Sequence, residues 1–402
     1  PTVENLTFSI RQNCRIIISM ATKMFTRDDG LGKMNQTIKG RGASFNPPNR
    51  FEELHVEPFE NEDFSHEDRA SQKILTRFYI DTSKSILSKN DSPDLGFAYS
   101  INPYRGCEHG CIYCYARPSH EYLGFSSGID FETKIMVKPD APKLLAATFS
   151  DRSWMPRLVA LSGNTDCYQP VERRLELTRQ CLKVLLDFRN PVSIITKNAL
   201  VLRDLDILKQ MSEFGIISVT ISITNLDNQL ARVMEPRTSS PFKRLEAVKT
   251  LAENGIRVGV LLAPVIPGLN DEEIPAILRE ASSKGAQSAG YVILRLPYSI
   301  KDLFKDWLER MLPDRSAKVL SRIREIRGGK LNDSTFGRRM KGEGPVADAV
   351  EQLFETHYRK YFPTPQSSRL STAHFRRRRK ASSPCLAILK FVNRESDRAF
   401  FT

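Results

Sequence analysis

The sequence contains no long apolar run: Arg15–Met20, for example, keeps only Ile16, Ile17 and Ile18 together, and no run approaches the roughly 18 residues a membrane span needs. A protein without a membrane partner, cytoplasmic in location, is expected. No Walker phosphate loop, HExxH helix or GxSxG elbow occurs, which removes phosphate-loop, zincin and α/β-hydrolase chemistry. The six histidines form no ligand pair. Cysteines are few and odd in number, seven in 402 residues, with Cys14, Cys167, Cys181 and Cys385 scattered, so a disulfide framework is excluded and a reducing compartment fits.

A basic body is also lacking, although the net charge is +13. Residues 369–402 carry nine Lys or Arg against Glu395 and Asp397, and residues 1–33 carry five against three acids, which leaves the body near +4. No run of alternating aromatic and basic residues lines a predicted strand. Nucleic acid is therefore a partner to consider but not a favoured one.

What the chain does have is a cysteine cluster. Residues 102–117 read NPYRGCEHGCIYCYAR, placing Cys107, Cys111 and Cys114 within eight positions. Thiolates packed this closely on one loop suit a soft metal or an iron-sulfur cluster. A structural zinc site wants two separated pairs, and there is no second CxxC. Three thiolates would fix three irons of a 4Fe-4S cluster and leave the fourth open to another ligand. A Cys3His zinc knot using His109, and a redox cluster completed by Cys167, remain as alternatives, including a non-catalytic iron-sulfur or zinc protein that binds nucleic acid.

The CxxxCxxC spacing with Tyr113 before the last cysteine resembles the signature of the radical SAM superfamily, and the wider string is similar to an uncharacterised bacterial subfamily related to spore photoproduct lyase. That resemblance implies a 4Fe-4S cluster on Cys107, Cys111 and Cys114, with S-adenosylmethionine on the open iron and Tyr113 packed near its adenine. It implies reductive cleavage to a 5'-deoxyadenosyl radical, an external electron donor of the flavodoxin or ferredoxin type, and an unidentified substrate. A DNA photoproduct lyase-like repair enzyme is the alternative, in which Cys167 and Tyr168 return a hydrogen atom to the product radical.

Short apolar runs alternate with amphipathic stretches after the loop, as parallel β/α units require. Strands are expected at 96–101, 157–162, 192–196, 218–223, 257–263 and 290–296. Helices are expected at 171–188, 201–214, 241–254, 271–284 and 300–312, the first with Leu175, Thr178, Leu182 and Leu185 in one stripe. The expected fold class is α/β, a partial (β/α)6 barrel of parallel strands with an irregular N-terminal extension and a helical, then disordered, C-terminal extension. Its expected divisions are a leader over 1–33, the extension over 34–94, the core over 95–330 and the remainder over 331–402, ending in a disordered basic tail that includes HFRRRRK. In the N-terminal extension, 39–51, which contains GRGA, is read as glycine and proline punctuation that forms no regular element but could wrap a surface, and the acid-rich stretch 52–68 as a solvated irregular segment, with Arg41 and Arg50 reaching toward a substrate anion as the alternative.

Active sites of parallel β/α barrels sit at the C-terminal strand ends. After the second strand, Asn164, Thr165 and Asp166 stand where the resembling family binds the S-adenosylmethionine ammonium, although SGNTDCYQPVE departs from the usual GGE-type motif there. Lys197, closing the third strand, matches a position that the resemblance associates with the carboxylate. Ser222 at the fourth strand end offers a hydroxyl for ribose or carboxylate. Arg295 after the sixth suits a substrate carboxylate or phosphate.

Overall fold

A computed structural model describes residues 38–51, 74–363 and 369–377. The expected leader, the acid-rich stretch 52–68 and the tail beyond Arg377 lie outside the described residues.

Among the described residues there are ten strands: β1 (Arg77–Ile80), β2 (Leu87–Lys89), β3 (Tyr99–Ile101), β4 (Tyr104–Arg105), β5 (Lys134–Val137), β6 (Val159–Leu161), β7 (Val192–Thr196), β8 (Ile217–Ser222), β9 (Val258–Val265) and β10 (Ser288–Ile293). Seven form one sheet in the order β10-β9-β8-β7-β6-β3-β2. All neighbours in it are parallel except β2 against β3. Every crossover from β3 onward steps one strand in the same direction, the winding of a β/α barrel, and the sheet stays open between β10 and β2. β6 is wholly buried and β9 nearly so, which is why both read as unbroken apolar runs.

Two elements depart from the periodic pattern. The stretch 171–188 is two helices, Glu172–Leu175 and Leu177–Phe188, broken at Glu176 with φ of 50°. The buried Glu172 carboxylate turns back to accept the Thr178 N–H at 3.0 Å and the Tyr104 hydroxyl, so it caps the second helix. The connection after the cysteine loop contains β5, which with β1 and β4 makes a small second sheet whose strands, two to four residues each, are too short to stand out in the sequence.

The main core lies between the large sheet and its helices, where Thr178, Cys181, Leu182 and Leu185 are buried. A second core gathers Cys111, Ile112 and Tyr113 with Leu294, Leu296, Phe304 and Trp307. The cysteine loop is thus packed against the helix Ile300–Met311. The final helix, Pro345–Tyr361, covers the β10 end of the sheet, with Phe354 against Tyr291 at 4.7 Å between ring centroids. His374 to Arg377 of the expected disordered tail are ordered: Arg376 donates to the Asp187 and Phe188 carbonyls, and Arg377 to the Trp154 carbonyl at 2.7 Å. Carbonyls left unpaired at helix C-termini attract cations, which holds this segment down. No helix among the described residues is long and apolar enough to cross a membrane.

Candidate active site

The loop Asn102–Arg117 leaves β3 at its C-terminal end and is fixed from several sides. Cys107 N–H donates to Phe131 O at 2.9 Å and Ile112 N–H to Met234 O at 3.0 Å. Arg117, wholly buried, donates through Nε to Cys111 O at 3.0 Å and through Nη2 to the equally buried Glu132 at 2.6 Å. Glu132 also accepts the N–H groups of Gly42 (3.0 Å) and Ala43 (2.8 Å). GRGA is therefore a strap wrapped across the cysteine loop, with Gly42, Ala43 and Ser44 buried. Its glycine is required by contact: a Cβ on Gly42 would lie 1.8 Å from Gly110 O. Gly110 itself has φ of 69°, and a side chain there would meet Glu132. Arg41 and Arg50 are committed within the fold, Arg41 to Glu132 O, Ile74 O and Thr76, Arg50 to Glu121 and the Tyr298 ring.

Cys107 and Cys111 are buried and Cys114 is half-buried. Burial raises all three thiols above their ordinary range; Asp166 and then the other two thiols add to this at Cys107, and Glu235 adds to it at Cys111. Lys197 opposes the rise at Cys111 and Cys114. Three thiols on one loop, with a cation that favours their thiolate form, suit metal ligation, and uptake of a metal would release their protons. Among the described residues no three His, Cys, Asp or Glu side chains converge on one point suited to a single ion. His109 has both ring nitrogens engaged, Nδ1 with Asp166 at 3.3 Å and Nε2 with Asn198 at 3.2 Å, so the Cys3His knot lacks its histidine. A cubane takes one thiolate per iron and needs no such convergence.

Cys167 and Tyr168 are fully buried in the main core, apart from the side chains packed around the three cysteines. The Tyr168 hydroxyl donates to Asp204 at 3.0 Å.

The other strand-end residues divide into structural and available groups. Asp166 accepts four donors, from Thr196 Oγ1 and Tyr168 N–H on one oxygen and from Lys197 N–H and His109 on the other. Burial pushes its pKa up, but His109 and these hydrogen bonds bring it below the usual carboxylate value. Its lone pairs are taken, and it locks β7 and the cysteine loop together. The Thr165 hydroxyl donates to Tyr104 O at 2.6 Å. Asn164 is exposed, with Nδ2 on Ser119. Ser222 is buried and its carbonyl accepts from Arg244 at 3.1 Å. Lys197 Nζ lies 5.6 Å from the Tyr113 ring centroid and spends one hydrogen bond on Ala263 O, leaving two donors.

Sequence reasoning pointed to Tyr113 and to the polar end of the fourth strand, Asn225 included, but missed what holds Tyr113 in place. Tyr113 donates to Glu235, which is held by Arg244 and by Thr224 Oγ1 at 2.8 Å. Asn225 Oδ1 is buried with no protein partner, an acceptor left over at the β8 end. No local signal marks the first of these contacts, because Tyr113, Glu235 and Arg244 meet only through the fold. At the mouth, Tyr115 is exposed and donates to Gly163 O at 2.9 Å, with the Arg295 guanidinium 5.5 Å from its ring centroid.

The family model of the radical SAM superfamily matches residues 101–281. An uncharacterized protein of Mycobacterium tuberculosis is 36% identical over 261 residues, 64% of this chain and 76% of that protein. The chain belongs to the radical SAM superfamily. An uncharacterized protein of Methanocaldococcus jannaschii is 36% identical over 178 residues, 44% of this chain and 64% of that protein. Among solved structures, spore photoproduct lyase complexed with dinucleoside spore photoproduct is similar in fold, with a TM-score of 0.51 at 17% identity over 71% of this chain and 80% of the lyase. A variant of that lyase with bound AdoMet and dinucleoside spore photoproduct gives 0.50 at 18% identity over 77% and 86%. As a radical SAM enzyme, the protein uses S-adenosylmethionine and an iron-sulfur cluster, and requires a reductant and a substrate.

Proposed function

We propose that this radical SAM enzyme holds a 4Fe-4S cluster through Cys107, Cys111 and Cys114 and abstracts hydrogen from an anionic or polar substrate at the strand-end face. The observation that carries the reading is the cysteine loop pinned at the C-terminal end of β3, with Cys107 and Cys111 buried, Cys114 half-buried, and Lys197 and Tyr113 beside them. When bound, the cluster supplies the electron that splits S-adenosylmethionine into methionine and a 5'-deoxyadenosyl radical. The chain's own groups bind and orient. Lys197 offers its two remaining donors to the carboxylate, and Asn225 Oδ1 and Ser222 face the ammonium or ribose with acceptors. Tyr113, fixed through Glu235, presents a rigid ring to the adenine. Asp166 positions the Lys197 backbone and touches no ligand. Arg295 and the exposed Tyr115 line the approach for substrate.

Lesion repair, the activity named in the similar lyase, is a less supported reading. It needs a hydrogen donor near the product radical, and Cys167 and Tyr168 are both enclosed in the core.

Anaerobic reconstitution tests the proposal. The protein should bind about four irons per chain and form 5'-deoxyadenosine under a strong reductant. Cys107→Ala, Cys111→Ala and Cys114→Ala should each lose the iron, whereas Cys167→Ala should keep it. Iron retained in the first three variants would overturn the assignment.

A further inference from the structure

A cleft of about 70 Å³ lies beside the cysteine loop, on the outer side of the GRGA strap. Lys39, Arg41, Arg232 and Arg310 line it, and no Asp or Glu does. Arg310 pairs with Asp306 at 2.7 Å. Arg41 donates to two carbonyls and the Thr76 hydroxyl; burial and then Arg237 lower its pKa, against the opposing charges of Glu132 and Glu108. Arg237 is itself paired with Glu108 at 3.3 Å, so the positive charge left to the cleft is that of its rim. Lys39 and Arg232 stand exposed at the rim.

The floor of this cleft is backbone in contact with the loop that carries the thiols. Gly42 touches Gly110, which lies between Cys107 and Cys111, and the neighbouring Arg237 N–H donates to His109 O at 3.2 Å. None of Lys197, Ser222 or Arg295 lines it, so an occupant here leaves the strand-end face free for substrate. A positive surface at this place would attract a negative partner and speed its encounter.

We propose that an acidic one-electron carrier protein docks on this cleft and passes its electron to the cysteine loop from behind. The inference rests on the proposed cluster. One electron leaves the carrier's reduced cofactor and one is gained by the cluster; no atom is transferred. The surface fits a compact acidic protein better than a nucleic acid strand, which needs a track of cations with open aromatic faces for its bases. The one aromatic lining the cleft, Trp307, is 1% exposed.

The test uses the reconstituted enzyme and the double variant Lys39→Glu/Arg232→Glu, whose sites lie outside the binding machinery described above. Affinity for oxidised flavodoxin and ferredoxin is measured by calorimetry at about 0.1 M salt and again at higher salt. The variant should bind its carrier about tenfold or more weakly, with a flatter salt dependence, and form 5'-deoxyadenosine about tenfold more slowly with that reduced carrier. Its rate with reduced methyl viologen, which needs no docking surface, should equal that of the unaltered enzyme. Equal carrier affinity in both proteins, no carrier binding by either, or loss of affinity for a DNA oligonucleotide in place of the carrier would each overturn the proposal. If methyl viologen yields no 5'-deoxyadenosine while carrier binding still falls in the variant, docking stands and the cluster reading fails.

Discussion

Lys197 is the residue on which the cofactor reading can be tested most sharply, because its backbone and side chain have separate duties. Its N–H is bound by Asp166 and its ammonium projects toward Tyr113 and the thiols. Lys197→Met removes only the second. It should retain iron and weaken S-adenosylmethionine binding by about tenfold or more, as loss of one charge-assisted contact does, measured by calorimetry on the loaded protein. His120 gives a residue-scale prediction of another kind. It is buried between Phe125 and Phe131, with neither ring nitrogen bonded, and burial pushes its pKa down to about 4. The unfolded chain then binds more protons than the folded one between that value and about 6.5, so stability is full above the window and falls as the pH drops through it, by about 3 kcal/mol in all. In His120→Phe this slope should flatten, read from urea midpoints across the same window.

At the scale of elements, the strap and the loop behave as one unit. Gly42→Ala places a carbon inside the van der Waals radius of Gly110 O, so the strap must lift, freeing two donors from Glu132. Breaking the buried pair directly, in Glu132→Gln, should cost about 3–5 kcal/mol because Arg117 is left charged without its partner. Both variants should lose stability and bind less iron, and a strap that was mere surface wrapping would leave both unchanged. Legibility follows the range of the interactions. β7 was readable to the residue and β8 within one position, since a buried parallel strand is written as a run of β-branched residues. The three cysteines stood out because their spacing is local. The strap did not, because Gly42 acquires its meaning only from Glu132 and Gly110, and GRGA alone looks like loop punctuation. The break at Glu176 was hidden for a similar reason: a helical stripe runs through it, while the carboxylate that interrupts it answers to Tyr104 and Arg203 elsewhere.

Across the whole molecule, the segment 369–377 ties together parts that the sheet alone does not join. Ser371 N–H donates to Gly215 O, Arg377 reaches the turn before β6, and Phe375 packs on Phe149. Deleting residues 369–402 should lower the thermal midpoint by several degrees without changing iron content, since no contact of 369–377 reaches the cysteine loop. A tail acting only as solvated charge would leave the midpoint where it was. The loop itself draws on the opposite extreme of chain separation. Its supports come from Gly42 and Glu132, then Asp166, Lys197 and Glu235, and finally Leu296 and Trp307. A chain emerging from the ribosome from its N-terminus presents Cys107, Cys111 and Cys114 long before most of these supports have been made. Three thiols then stand without their full support until Trp307 has been made, so a chain cut short before that residue lacks the side chain that backs the loop from below.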